Sequence, residues 1–209
     1  MLLYYITDRT HFAGTETEQR AKLLQRINEA ACSGIDYIQL REKDLTTHEF
    51  ERLAGGAVAI VRASCGSTRL LINSRTDVAL AVTADGVHLR SADIPSESVG
   101  EIWRKSGSDQ KPVVAISCHT EGEVVRAAES GADFAVFGPV FEKRNAYGEP
   151  TGIDQLRSVC RHKIPVLALG GVTKANAATC VEAGAVGVAG IRLFQEGDLR
   201  ETMKVLRDV

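Results

Sequence analysis

Gln39, Arg41 and Lys43 alternate with Leu40 and Glu42, so in an extended segment the amide and the two cations share one face. Two cations and an amide on one face suit a phosphate or diphosphate; a salt-bridged cluster at a rim is the plainer alternative. A second anion site is suggested by Gly170-Gly171 and Gly190-Ile191, with Arg192 adding charge beside the latter. Glycine lets the backbone approach a ligand closely, and the first turn of a following helix offers unpaired N–H groups and a positive dipole end. Ordinary tight turns would use the same residues. Ser117 and His119 lie two apart and face one way, with Cys118 between them facing the other. His119 is a candidate general acid or base with Ser117 beside it, because histidine is the side chain poised near neutral pH. Cys118 by this alternation points into a wall and is not read as a nucleophile. Asn73 and Gly138 each close an apolar run, and Asp93 is a lone carboxylate. Asp93 could help hold Mg2+ or could cap a helix starting near Pro95.

These residues share a place only if the elements before them end together. A short pattern recurs as Ser33-Gly34-Ile35-Asp36, Thr83-Ala84-Asp85-Gly86, Ser130-Gly131-Ala132-Asp133 and Ala183-Gly184-Ala185-Val186. Each copy follows a helix-like stretch and precedes an apolar run, which reads as a helix C-cap feeding a buried strand. The small residues at 34, 84, 131 and 184 are 50, 47 and 53 positions apart. That is about twice one strand–helix unit, so every second strand is marked. The eight strands are then Leu3–Thr7, Tyr37–Arg41, Arg69–Asn73, Gly86–Leu89, Val113–Ser117, Phe134–Phe137, Pro165–Leu169 and Val186–Gly190. Helices alternate with them over Thr17–Cys32, Thr46–Ala63, Arg75–Thr83, Pro95–Lys105, Thr120–Ser130, Gly152–Cys160, Lys174–Ala183 and Asp198–Asp208. Thr120 with Glu123 makes a capping box, and Asp198 is a second N-cap.

Strict alternation of continuous apolar strands with helices predicts an α/β fold, a single-domain (β/α)8 TIM barrel over residues 1–209. An open doubly wound sheet is the runner-up. In a barrel the strand ends converge on one mouth, where the residues above would meet. The irregular stretch Gly138–Gly152 is long enough to be read as a lid.

With 25 Lys plus Arg against 27 Asp plus Glu, the net charge of -2 gives no electrostatic reason to expect nucleic acid or an anionic membrane as partner. The chain opens on an apolar run too short for a membrane span and without a basic leader. Cysteines at 32, 65, 118, 160 and 180 form no CxxC pair, so a reducing, cytoplasmic setting is expected.

Tyr5-Ile6-Thr7-Asp8-Arg9, Gln39-Leu40-Arg41-Glu42-Lys43-Asp44, Leu71-Ile72-Asn73, Ala84-Asp85-Gly86-Val87-His88-Leu89, Ser117-Cys118-His119-Thr120, Phe137-Gly138-Pro139-Val140-Phe141 and Ala168-Leu169-Gly170-Gly171-Val172 resemble, in order and spacing, the thiamin phosphate synthase/TenI family. The resemblance covers nearly the whole chain and implies a (β/α)8 barrel acting in thiamin biosynthesis. Two activities occur on that scaffold. The synthase joins hydroxymethylpyrimidine diphosphate to thiazole phosphate, with Mg2+ on the departing diphosphate. The thiazole tautomerase moves a proton on a thiazole carboxylate phosphate and needs no metal. For the synthase the resemblance implies Gln39, Arg41 and Lys43 on the pyrimidine diphosphate, Asn73 and Ser117 on pyrimidine and diphosphate, and Asp93 on Mg2+. Gly171 would help hold the thiazole phosphate. A homo-oligomer is compatible with either activity.

The chain departs from the synthase pattern in the diphosphate and metal half. Asn73-Ser74 stands where synthases carry Asn-Asp, and Arg90-Ser91 where they carry Gly-Gln. Glu142-Lys143-Arg144-Asn145-Ala146 replaces a threonine-rich phosphate loop, and Ile191-Arg192 replaces Ile-Ser. A hydroxyl is a much poorer Mg2+ ligand than a carboxylate. The tautomerase branch also lacks that Asp and that loop, and its acid/base histidine falls on His119. The expectation is therefore a tautomerase-like enzyme without cofactor. A synthase using Mg2+ is the alternative, and a non-catalytic binding relative the second.

Overall fold

The computed structural model describes residues 1–64, 66–142 and 149–209. Eight parallel strands close on themselves in chain order: β1 Leu2–Ile6, β2 Tyr37–Leu40, β3 Arg69–Asn73, β4 Gly86–Arg90, β5 Val113–Cys118, β6 Phe134–Phe137, β7 Val166–Leu169 and β8 Gly187–Gly190. Closure is made by β1 against β8, with Leu2 opposite Gly187 and Tyr5 opposite Gly190. The helices are α1 Glu16–Cys32, α2 Thr47–Ala63, α3 Thr76–Ala81, α4 Ser96–Lys105, α5 Glu121–Glu129, α6 Gly152–Val159, α7 Ala177–Glu182, α8 Arg192–Gln195 and α9 Leu199–Arg207. The doubly wound alternative is thereby excluded. No helix among the described residues is long and apolar enough to cross a membrane.

The strands read as continuous apolar runs because both their faces are buried, each in a different core. Tyr4, Leu71, Ala115, Phe134, Val136, Leu167 and Ala189 point to the axis and fill the barrel. Their neighbours, among them Leu3, Ile38, Leu40, Leu70, Ile116, Cys118 and Ala168, point outward and pack under the helices. Near the axis Tyr4, Tyr37 and Phe134 stack in edge and tilted pairs, with ring centroids 4.9 to 5.9 Å apart. Such rings fill the barrel and leave a polar layer only at its upper end.

Four helix starts, those of α1, α2, α5 and α9, are set by side chains that satisfy the first unpaired N–H groups. Thr15 with Glu18, Thr46 with Glu49 and Thr120 with Glu123 each form a complete capping box, and Asp198 accepts from Arg200 and Glu201. The recurring pattern explains the opposite end. Gly34, Thr83, Gly131 and Gly184 follow their helices with positive φ, so in the second copy Thr83, not Ala84, takes the glycine's place. The Asp that follows clips the barrel floor. Asp36, Asp85 and Asp133 accept the backbone N–H of Leu3, Leu70 and Val114 on the preceding strand, at 2.7 to 2.8 Å. Val186 stands at the fourth clip and is 40% exposed. The repeat is thus a device of the floor, and the chemistry is left to the mouth.

Candidate active site at the barrel mouth

Period-two alternation brings the expected residues to one place. Gln39, Asn73, Ser117, Gly138 and Ile191 continue the inward-facing series of β2, β3, β5, β6 and β8. Arg41, Lys43, His119 and Gly171 lie in the same phase on the loops that follow. Cys118 falls in the opposite phase, fully buried beneath the helices. Burial pushes its thiol up to about 12, so at neutral pH it is not a thiolate.

The β2 segment divides its charges between two faces. On the outward face Glu42 is buried and accepts from the Thr7 hydroxyl at 2.6 Å and from Arg9 N and Nη1 at 2.9 and 3.2 Å. Asp44 and Glu16 complete the shell around the Arg9 guanidinium. Burial raises the Glu42 pKa, while these hydrogen bonds oppose it. The network ties the end of β1 to the end of β2, and the Thr7 hydroxyl receives the N–H of Arg41 at 2.9 Å. Arg41 and Lys43 are thereby left for the mouth. Arg41, then burial, then Arg90 lower the Lys43 pKa, as neighbouring like charges do.

Ser74 and Asp93 meet, but not as a metal site. Asp93 Oδ2 accepts from Ser74 Oγ at 2.8 Å and from Arg90 N at 2.9 Å, and Oδ1 accepts from Arg90 Nε and Nη2 at 3.0 and 2.8 Å. Burial opposes ionisation of Asp93, yet the Arg90 and Ser74 bonds outweigh it and hold its pKa below the usual carboxylate range. Both oxygens already face donors, and the second carboxylate a hard cation would want is a hydroxyl. The residues present do not fit Mg2+. Nor does Asp93 cap α4, whose N-cap is Pro95 and which has no side-chain cap; the carboxylate closes the turn after β4 instead.

His119 sits on the rim between β5 and β6. Its Nδ1 hydrogen-bonds the Gly138 carbonyl, and its backbone N–H is held by Glu123. A carbonyl only accepts, so Nδ1 carries a proton and the neutral ring keeps its lone pair on Nε2. Gly138 must be glycine here, because a Cβ would lie 2.0 Å from the Leu169 carbonyl oxygen. Asn73 makes no side-chain hydrogen bond among the described residues, so its amide is open to the mouth.

Across the mouth, Gly170 and Gly171 have φ of 94° and 64°. A Cβ on Gly171 would lie 2.5 Å from the Glu142 carbonyl oxygen and 2.7 Å from Phe141 Cβ. Among the described residues the N–H groups of Gly171, Ile191, Arg192 and Leu193 take no partner. The last three open α8, a short extra helix after β8 that the sequence pattern did not reveal. Buried Gln195 fixes α8 to β1: Nε2 donates to Asp8 O at 2.6 Å and Oε1 accepts from the Tyr5 hydroxyl at 3.0 Å. The start and end of the loop expected as a lid are pinned, Val140 N to Leu169 O, Phe141 N to Gly170 O and Gly152 N to Val140 O. Lys143, Arg144, Asn145 and Ala146 lie outside the described residues, as does Cys65.

Sequence reading passed over Tyr4, the pairing of Arg90 with Asp93 and the Arg9–Glu42 pair. The first had a signal, a hydroxyl-bearing ring at an inward position of an otherwise apolar strand. The Arg9–Glu42 pair had none, since residues 33 apart meet only in the fold, and the Arg90–Asp93 pair, three apart, is made by a turn that no periodic pattern marks.

The family model described as "Thiamine monophosphate synthase" (TMP-TENI) matches residues 3–194. A Geobacter sulfurreducens protein called "Putative thiamine-phosphate synthase" is 41% identical over 98% of this chain and 92% of its own length. The "Thiamine-phosphate synthase" of Caldanaerobacter subterraneus subsp. tengcongensis is 34% identical over 99% of this chain and 92% of its own. Among solved structures, a thiamine phosphate pyrophosphorylase from Pyrococcus furiosus superposes with a TM-score of 0.81 at 30% identity, covering 99% of this chain and 94% of that one.

Proposed function

The chain belongs to the thiamin phosphate synthase/TenI family of thiamin-biosynthetic enzymes, and from that premise we propose that it transfers a proton on a phosphorylated thiazole carboxylate. The observation that carries this reading is His119, whose Nδ1 is fixed on the Gly138 carbonyl with Nε2 left as base. Isomerising the ring requires removing a proton at one position and returning one at another. A single imidazole reaching both atoms serves both steps, neutral in the first and charged in the second. The free N–H groups of Gly171, Ile191, Arg192 and Leu193 would hold the phosphate, in the manner of barrels that use the loops after the last two strands and a short extra helix. Arg41, Lys43, Asn73 and Ser117 would orient the carboxylate. Mg2+ has no part in this reading, since Asp93 is committed to Arg90 and Ser74.

The relatives' names favour the other activity, a synthase joining a pyrimidine diphosphate to thiazole phosphate. Arg41 and Lys43, two cations on one face after β2, support it as well, whereas Gln39 lies buried beneath them against the Tyr4 hydroxyl. Two incubations separate the readings. With EDTA and the less stable thiazole carboxylate phosphate isomer, the proton-transfer enzyme converts it to the aromatic isomer. Thiamin phosphate formed from hydroxymethylpyrimidine diphosphate, thiazole phosphate and Mg2+, without isomerisation in the first tube, would overturn the proposal.

A further inference from the structure

Below the mouth, four polar side chains from four strands touch in series. Gln39 Nε2 donates to the Tyr4 hydroxyl at 3.4 Å, the Tyr4 oxygen lies 3.0 Å from His88 Nδ1, and His88 Nε2 lies 2.7 Å from Ser117 Oγ. Tyr4, Gln39 and His88 are 0, 1 and 2% exposed, and only Ser117 reaches the mouth. The barrel interior they stand on is apolar, Leu71, Ala115, Phe134 and Val136. Polar groups in such a place are satisfied by one another or not at all. No step proposed above uses Tyr4 or His88.

The protons in this chain have one favoured order. A neutral imidazole has one donor nitrogen and one lone pair, and both hydroxyls compete for the lone pair. A phenol is intrinsically a stronger donor than an aliphatic hydroxyl, and burial raises the Tyr4 pKa well above its usual value so that the proton stays on the oxygen; Tyr4 therefore donates to Nδ1. The Gln39 amide proton on the Tyr4 oxygen favours the same direction. His88 then carries its proton on Nε2 and gives it to Ser117 Oγ. A serine oxygen that accepts from below has its own proton free for the space above.

We propose that Tyr4 and His88 are positioning residues that hold Ser117 as a hydrogen-bond donor toward an anionic oxygen of the ligand. The carboxylate identity of that oxygen rests on the proton-transfer reading; the order of the protons does not. The groups facing His88 are Tyr4 from β1, Arg41 after β2, Asn73 opposite it on β3, Asp93 after β4 and Ser117 on β5. Burial, then Arg41, drive the imidazole down to about 3 against a weaker pull from Asp93. The ring therefore stays neutral at working pH, and Ser117 stays a donor. The reverse order, with His88 accepting from Ser117, would make the serine a nucleophile.

The test is 15N NMR of the full, unliganded chain labelled at histidine, between about pH 5 and pH 8. His88 should show Nδ1 bare, Nε2 protonated and no titration. An Nδ1–H tautomer, or a midpoint near neutrality, would overturn the proposal whatever reaction the protein catalyses. Calorimetry with thiazole carboxylate phosphate, and with the same thiazole phosphate lacking the carboxylate, tests the consequence. Ser117→Ala and Tyr4→Phe should weaken the carboxylated ligand by about 10-fold or more, as loss of a hydrogen bond to a charged group does. The other ligand should change by less than about 2-fold, and Ser117→Thr should restore binding. Equal losses for both ligands, or none, would refute the role of Ser117, and the NMR result stands even if Tyr4→Phe fails to fold.

Discussion

The two sides of the mouth offer positive charge by different means. On the β7–β8 side it is backbone: N–H groups of Gly171, Ile191, Arg192 and Leu193, set by two left-handed glycines and by the seating of α8 on Gln195. On the β2–β4 side it is side chain: Arg41, Lys43 and Arg90, the last clamped to Asp93. A backbone site is as durable as the fold that shapes it, because only a change in main-chain path removes it. A side-chain site is retuned by one or two substitutions with every strand in place. Ser74 and Arg90 show how that happens, turning a carboxylate that could face a cation into half of an ion pair at the rim, with Arg90 itself exposed.

Changes on either side, and between them, should separate these roles. The largest effect is expected from His119→Ala, which removes the base between the two sides. Turnover should fall on the order of 10²–10⁴-fold with KM little changed, read from steady-state kinetics. A comparable rise in KM would make His119 part of one binding side instead. Gly171→Ala attacks the backbone side, since its Cβ meets Glu142 O and Phe141 Cβ and its φ is left-handed. Affinity for the phosphorylated ligand should drop roughly 10-fold or more, with stability lower by about 1–3 kcal/mol in denaturant titration. Arg90→Gly attacks the side-chain side. Releasing Asp93 should let Mn2+ bind measurably by paramagnetic resonance, while isomerisation with EDTA changes by no more than about 5-fold, the scale of a surface charge. The smallest effect belongs to the floor. Asp85→Ala should lower stability by about 1 kcal/mol and Val186→Asp raise it by up to about 1 kcal/mol, by analogy with the three existing clips. Neither should alter kinetics, and a floor variant that did would blur the distinction between mouth and scaffold.

The barrel was legible because its signals are local. Eight apolar runs, the recurring cap-and-Asp pattern and the Thr120–Glu123 box each lie within a few residues. α8 escaped because four residues cannot display a helical period. α3 and α7 came out shorter than expected, Thr76–Ala81 and Ala177–Glu182: the left-handed Thr83 ends the first, and a turn over Thr173–Asn176 precedes the second. In the site, alternation alone correctly separated Gln39, Arg41 and Lys43 from Glu42, and Ser117 and His119 from Cys118. It could not show that Arg90 grips Asp93, because a turn that folds back on its own strand leaves no periodic trace. The Tyr4–His88–Ser117 chain spans three strands distant in sequence and was equally hidden.

The central claim is that His119 moves a proton on the ligand ring without a metal. The direct measurement is proton NMR of the thiazole carboxylate phosphate turned over in D2O with EDTA. Solvent deuterium entering the ring of the product at the enzymatic rate is the predicted result. An unlabelled, unchanged thiazole in EDTA, with thiamin phosphate made once Mg2+ and the pyrimidine diphosphate are supplied, would contradict it.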